Sequence, residues 1–146
     1  MPRLYRKQTD SSTFTEPRVL ARVFAEPGLF EQTVRRYEQF TGARLDMDLD
    51  VRELGIRIAA VGAFLVLELD PALLDRAGQA RRTPVTMIFS HLDQAISRGL
   101  ALGSELVEAP FPVPTGRGAR LRHPDGLLVE YLEHRPSPHD VDTPAL

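Results

Sequence analysis

Cysteine is absent from the 146 residues, and that one absence excludes disulfides, thiolate metal ligands, iron–sulfur clusters and a cysteine nucleophile. The cytoplasm is the expected location. Long apolar runs are also missing: no stretch approaches the roughly 20 residues of a membrane-spanning helix. The start, with Arg3, Arg6 and Lys7 followed by polar Gln8 to Thr13, lacks the apolar core of a signal peptide. Strong charge of one sign is lacking too. The formal charge is −2 and the pI near 6.1, and the basic residues do not gather into one run. Neither nucleic acid nor a membrane is an expected partner. Histidine is scarce, with only His91, His123, His134 and His139, which limits imidazole chemistry from the outset.

What is present is enough for one folded domain, since 42% of residues are hydrophobic and 26% charged. Val19 to Ala25 reads as a strand, ended by Glu26-Pro27-Gly28. Leu29 to Thr41 reads as a helix, with Phe30, Val34 and Tyr37 on one face and Gly42 at its end. Leu45, Met47, Leu49 and Val51 alternate with Asp46, Asp48 and Asp50, the pattern of a strand with one solvated face. Leu54 to Ala59 and Ala63 to Leu69 are two further strands. The order then repeats. Pro84 to Phe89 is a strand, and Ser90 is a candidate N-cap with Asp93 three residues on. Leu92, Ala95, Ile96 and Leu100 form the stripe of a second helix closed by Gly103. Glu105 to Ala109, Arg117 to His123 and Gly126 to Glu133 follow as strands. Phe24 matches Phe89, Gly42 matches Gly103 and Glu68 matches Glu130, at a nearly constant offset.

The expected fold class is therefore α+β, two tandem βαβββ modules whose curved mixed sheet surrounds a cavity. The modules are expected at 17–70 and 83–134, with a linker at 71–82 and flexible tails at 1–16 and 135–146.

At this point the chain resembles the vicinal oxygen chelate superfamily of glyoxalases, extradiol dioxygenases, fosfomycin-resistance enzymes and bleomycin-binding proteins. The resemblance is carried by "HPDGLLVEYLE" from His123 to Glu133, "FSHLDQAISRGLALG" from Phe89 to Gly103 and "YEQFTG" from Tyr37 to Gly42. It implies a glyoxalase/bleomycin-resistance fold and a homodimer. In metal-dependent members, the first and last strands of each module supply the ligands of a divalent metal ion. Here the resemblance puts Glu68 and Glu130 on the carboxylate positions, while the first-strand positions, near Leu20 and Pro84, lack histidine. Two readings of the carboxylates stand side by side. They hold a hard divalent metal ion with water, or they bond an organic ligand or a neighbouring arginine.

The cavity wall follows from alternation. If Ala21, Val23 and Ala25 pack under the helix, Leu20, Arg22 and Phe24 face the cavity, and Pro84, Thr86 and Ile88 do so in the second module. Arg22 then either clamps a planar acceptor on a ligand or forms a structural ion pair. The segment "APFPVPTGRG" from Ala109 to Gly118 reads as a stiff lid with Phe111 on the ligand and Arg117 at the mouth, or as a hairpin whose prolines protect an edge. Other motifs are excluded. The Asp46–Asp50 run lacks the glycine of an EF-hand loop, Thr115-Gly116-Arg117-Gly118 is too short for a phosphate loop, and no serine, histidine and acid arrangement suggests a hydrolase.

The missing histidines favour a small-molecule ligand held without cofactor, on Arg22, Phe24, Thr86, Ile88, Phe111, Arg117 and Glu130. The alternative is a metal-dependent lyase, isomerase or dioxygenase using Glu68 and Glu130.

Overall fold

The computed structural model describes residues 1–73 and 78–146. The chain forms two compact units that do not coincide with its two halves. The first consists of Met1–Lys7, Leu20–Arg82 and Pro138–Leu146, and the second of Gln8–Val19 and Thr83–Ser137. Part of the expected linker, residues 74–77, lies outside the described residues; its flanks form a 3-10 turn, Pro71–Leu73, and a short helix α2, Gly78–Arg82.

The βαβββ order is present in each unit. In the first it runs β2 (Arg18–Phe24), α1 (Phe30–Thr41), β3 (Leu45–Val51), β4 (Ile56–Val61) and β5 (Phe64–Leu69). β2 lies parallel to β5 and the other pairs of the module are antiparallel. Beneath α1, one face of the sheet supplies Ala25, Ala59, Val61 and Val66 to a core shared with Phe30 and Val34. Gly42 ends α1 in the left-handed conformation at φ 75° and returns its N–H to Glu38 O, as its position after the apolar stripe predicts.

The ends of the chain are built in where flexible tails are expected. β1 (Arg3–Arg6) pairs antiparallel with β3 and parallel with β10 (Asp140–Val141), so the first unit's strand order is β10-β1-β3-β4-β5-β2. Arg6 grips Asp140 through Nε and Nη2 at 3.1 and 2.7 Å. The aspartate row of β3 is correspondingly not a solvated face. Asp48 is 1% exposed and is satisfied by Arg57 Nη2 at 2.9 Å and by the N–H groups of Ala145 and Leu146 at 2.7 and 3.2 Å.

In the second unit the order is β6 (Val85–Phe89), α3 (Leu92–Ala101), β7 (Glu105–Val113), β8 (Gly116–Arg122) and β9 (Leu128–His134), arranged β6-β9-β8-β7 with β6 parallel to β9. Leu92, Ala95 and Ile96 of α3 pack on Ala119, Leu121, Val129 and Tyr131. Residues 8–19 serve this unit through Ser11, whose Oγ donates to Phe89 O at 2.7 Å and accepts from His134 N at 3.0 Å. The proline-rich segment is strand, not lid. β7 extends to Val113 and turns directly into β8, and its prolines lie on the edge strand, where a missing N–H costs no ladder bond.

Candidate functional site

Strand alternation gives the second unit two faces. One carries Val85, Met87, Phe89, Ala119, Leu121, Val129 and Tyr131 toward α3. The other, away from α3, is organised by cross-strand register into two rows. Thr86 pairs with Glu130, Glu130 with Arg120 and Arg120 with Glu108, which makes a polar row across all four strands. Ile88 pairs with Leu132, Leu132 with Gly118 and Gly118 with Phe111, which makes an apolar row beside it. Two residues separate the rows along β6, β8 and β9, about 7 Å, and three along β7, where the register shifts between Glu108 and Phe111.

Each row is fixed in place. The Thr86 hydroxyl donates to Glu130 Oε1 at 3.1 Å. Arg120, 7% exposed, donates from Nε to Glu108 Oε2 at 3.0 Å and from Nη1 to Thr83 Oγ1 at 2.8 Å. A guanidinium fixed on two sides is preorganised and loses little freedom when it acts on a third group. In the apolar row, Gly118 lets the Phe111 ring and Leu132 close over the strand. A Cβ there would lie 2.9 Å from Leu132 Cδ2 and 3.3 Å from the Phe111 ring.

Of the residues expected at the site, Thr86, Ile88, Phe111 and Glu130 thus share one face. Arg117 does not. Its partner in register is Glu133, and its guanidinium reaches Asp93 of α3 at 3.2 Å, so it lies on the helix side and guards no mouth. Arg22 and Phe24 belong to the first unit, on the face of β2 opposite Val23 and Ala25. There Arg22 lies 5.7 Å and Arg81 5.5 Å from the centre of the Phe24 ring, and Arg22 Nη2 donates to Ala80 O at 3.2 Å.

Glu68 is displaced from its expected role. Phe24 pairs with Leu67 and Phe89 with Glu133, and Phe24 lies off the helix face while Phe89 packs on it. The counterpart of Glu68 is therefore Glu133 rather than Glu130. Their bonding agrees: Glu68 Oε2 accepts the N–H of Gly28 just before α1, at 2.9 Å, and Glu133 Oε1 accepts the N–H of Leu92 at the start of α3, at 2.7 Å. Glu133 meets an orphan donor at the first position of α3, and Glu68 meets a loop donor just ahead of the residue that begins α1. Glu130 corresponds in register to Leu65.

Arg120, Thr83 and Glu108 escape a motif reading. A signal for Arg120 was available, since counting by twos from Gly118 puts it on the Phe111 side.

Among the described residues no group of three or more His, Asp or Glu side chains is placed to hold a metal ion. The donor set around Glu130 also fits a cation poorly. Its cross-strand neighbour is the positive Arg120, where a metal site would place a further anionic or imidazole ligand. Glu68, bonded beside α1, supplies none.

No family model matches the sequence, and no curated protein matches it. Solved structures do. An uncharacterized protein from Methanosarcina mazei superposes with TM-score 0.62 at 26% identity over 80% of this chain and 91% of the other. Methylmalonyl-CoA epimerase from Mycobacterium tuberculosis gives 0.56 at 20% identity, over 80% and 88%. A Streptomyces coelicolor methylmalonyl-CoA epimerase variant in complex with 2-nitronate-propionyl-CoA gives 0.52 at 18% identity, over 80% and 96%. With two βαβββ units and these likenesses, the chain has the fold of the vicinal oxygen chelate superfamily, glyoxalases and bleomycin-resistance proteins included.

Proposed function

We propose that the protein binds a small planar organic molecule on the β6-β9-β8-β7 face, without a metal ion. The observation that carries this reading is the pair of adjacent rows. Leu132 and Phe111, backed by buried Ile88, offer apolar and aromatic surface to a flat group. About 7 Å away, Glu130, held by the buried Thr86 hydroxyl, offers an acceptor and Arg120 a fixed cation to its polar end. The ligand that fits carries an aromatic or conjugated body and a hydrogen-bonding terminus. The protein is cytoplasmic and a homodimer in this reading; light scattering of the purified chain tests the second point.

Titration with a panel of planar aromatic acids and amides, followed by calorimetry, tests the binding. Saturable affinity that falls about tenfold or more in both Phe111→Ala and Glu130→Gln is expected. A panel with no saturable member, or affinity indifferent to both changes, removes the reading. Elemental analysis of the purified protein separates this reading from the competing metal-dependent lyase, isomerase or dioxygenase, and no bound divalent ion is expected. A stoichiometric divalent ion lost in Glu130→Gln would establish that competitor, for which the fold likeness to two epimerases supplies the motive.

A further inference from the structure

The first unit contains a cleft of about 440 Å³ lined by Pro27, Arg52, Gly55, Arg57, Glu68 and Asp70, among others. That volume lies within the range of about 300–1,000 Å³ typical of small-molecule sites. It opens where β4 begins and β5 ends, on the α1 side of the sheet.

Arg57 and Glu68 are directly opposed on these two strands, the position in which a cross-strand ion pair ordinarily forms. Instead, each is held by something else. The Arg57 guanidinium lies 4.7 Å from the centre of the Phe30 ring and donates Nη2 to buried Asp48 at 2.9 Å. Its Nε is buried without a hydrogen-bond partner, so stacking and Asp48, rather than Glu68, set its direction. Glu68 is drawn away by the N–H of Gly28 at 2.9 Å through Oε2. The cleft thus keeps Arg57, paired with Asp48, and Glu68 on adjacent strands, fixed and not bonded to each other, with Arg52, paired with Asp50 at 3.0 Å, and Asp70 at its rim. Among the described residues, Arg57 bonds through Nη2 and Glu68 through Oε2, which leaves Nη1 and Oε1 for a ligand.

We infer that this cleft is a site for a small zwitterion of the α-amino carboxylate class, its carboxylate on Arg57 and its ammonium on Glu68. A single charge would satisfy one side chain and be repelled by the other; a molecule carrying both signs on neighbouring atoms satisfies both. The site shares no residue with the face proposed above.

The test is amide NMR of the isotopically labelled protein titrated with the individual proteinogenic amino acids, and with acetate and methylamine as single-charge probes. Saturable shifts at Gly28, Gly55 and Leu69 are expected with at least one amino acid and with neither single-charge probe. Affinity should fall about tenfold or more in Glu68→Gln, which keeps an acceptor for Gly28 N–H while removing the charge, and in Arg57→Gln. Phe111→Ala should leave it unchanged, which separates this site from the other. No saturable shift with any amino acid, equal binding of acetate, or full affinity in Glu68→Gln with an otherwise native spectrum would each overturn the assignment.

Discussion

Asp48 and Glu130 both sit on strands, and their surroundings send them to different work. Asp48 is closed off: Arg57 takes one oxygen and two backbone N–H groups take the other. Such a carboxylate is structural, because removing it strands a guanidinium and two donors at once. Asp48→Ala is expected to cost about 3–5 kcal/mol in urea denaturation, and a loss below about 1 kcal/mol would show that water replaces it. Tyr131 gives a residue-scale test in pH. It is 4% exposed, packs on Phe89 at 4.8 Å and bonds His123 Nε2 at 2.7 Å. Burial raises its phenol above the ordinary tyrosine value. A folded-state pKa above the unfolded one means the fold holds the proton more tightly. The stabilisation is therefore complete below the unfolded value near 10 and is lost as pH rises through the folded one. Tyr131→Phe should be about 1 kcal/mol less stable at neutral pH, with a shallower alkaline fall. Equal alkaline slopes in the two proteins would assign that fall to another group.

The secondary elements were largely readable because their signals are local. The apolar stripes of α1 and α3 and the glycines behind them mark the two helices to within about two residues. Gly103 takes φ 96° just past α3, as its place after the stripe requires. The register of the repeat was not readable at that level. Matching Phe24 to Phe89 and Glu68 to Glu130 uses residue type, whereas the face on which a residue lies depends on strand pairing across more than forty positions. The start of α3 makes the same point. Ser90 does not cap it with its side chain; the capping oxygen comes from Glu133 on β9, out of reach of any local motif. Glu133→Ala should lower stability by about 1–2 kcal/mol and speed hydrogen exchange in the first turn of α3 before the rest of that helix. Unchanged protection there would mean that packing of Leu92 alone fixes the helix start.

For the whole molecule, the division into units is the property that composition concealed. Polar and proline-rich ends resemble tails when read alone, yet each end is spent on structure. Residues 138–146 bring β10 to β1, Asp140 to Arg6, two N–H groups to Asp48 and the Leu146 side chain to the core beneath α1. Deleting them is expected to cost about 3–5 kcal/mol. The loss should be local at first, with amides of β1 and β3 exchanging faster while those of α3 and β9 keep their protection. The coupling is the sharper prediction. Because Asp48 receives this segment, Asp48→Ala should cost measurably less in the shortened chain than in the full one, by about 1 kcal/mol or more across a double-mutant cycle. Strict additivity would mean that Asp48 works through Arg57 alone and that the C-terminal segment is held by its strand pairing and by Leu146.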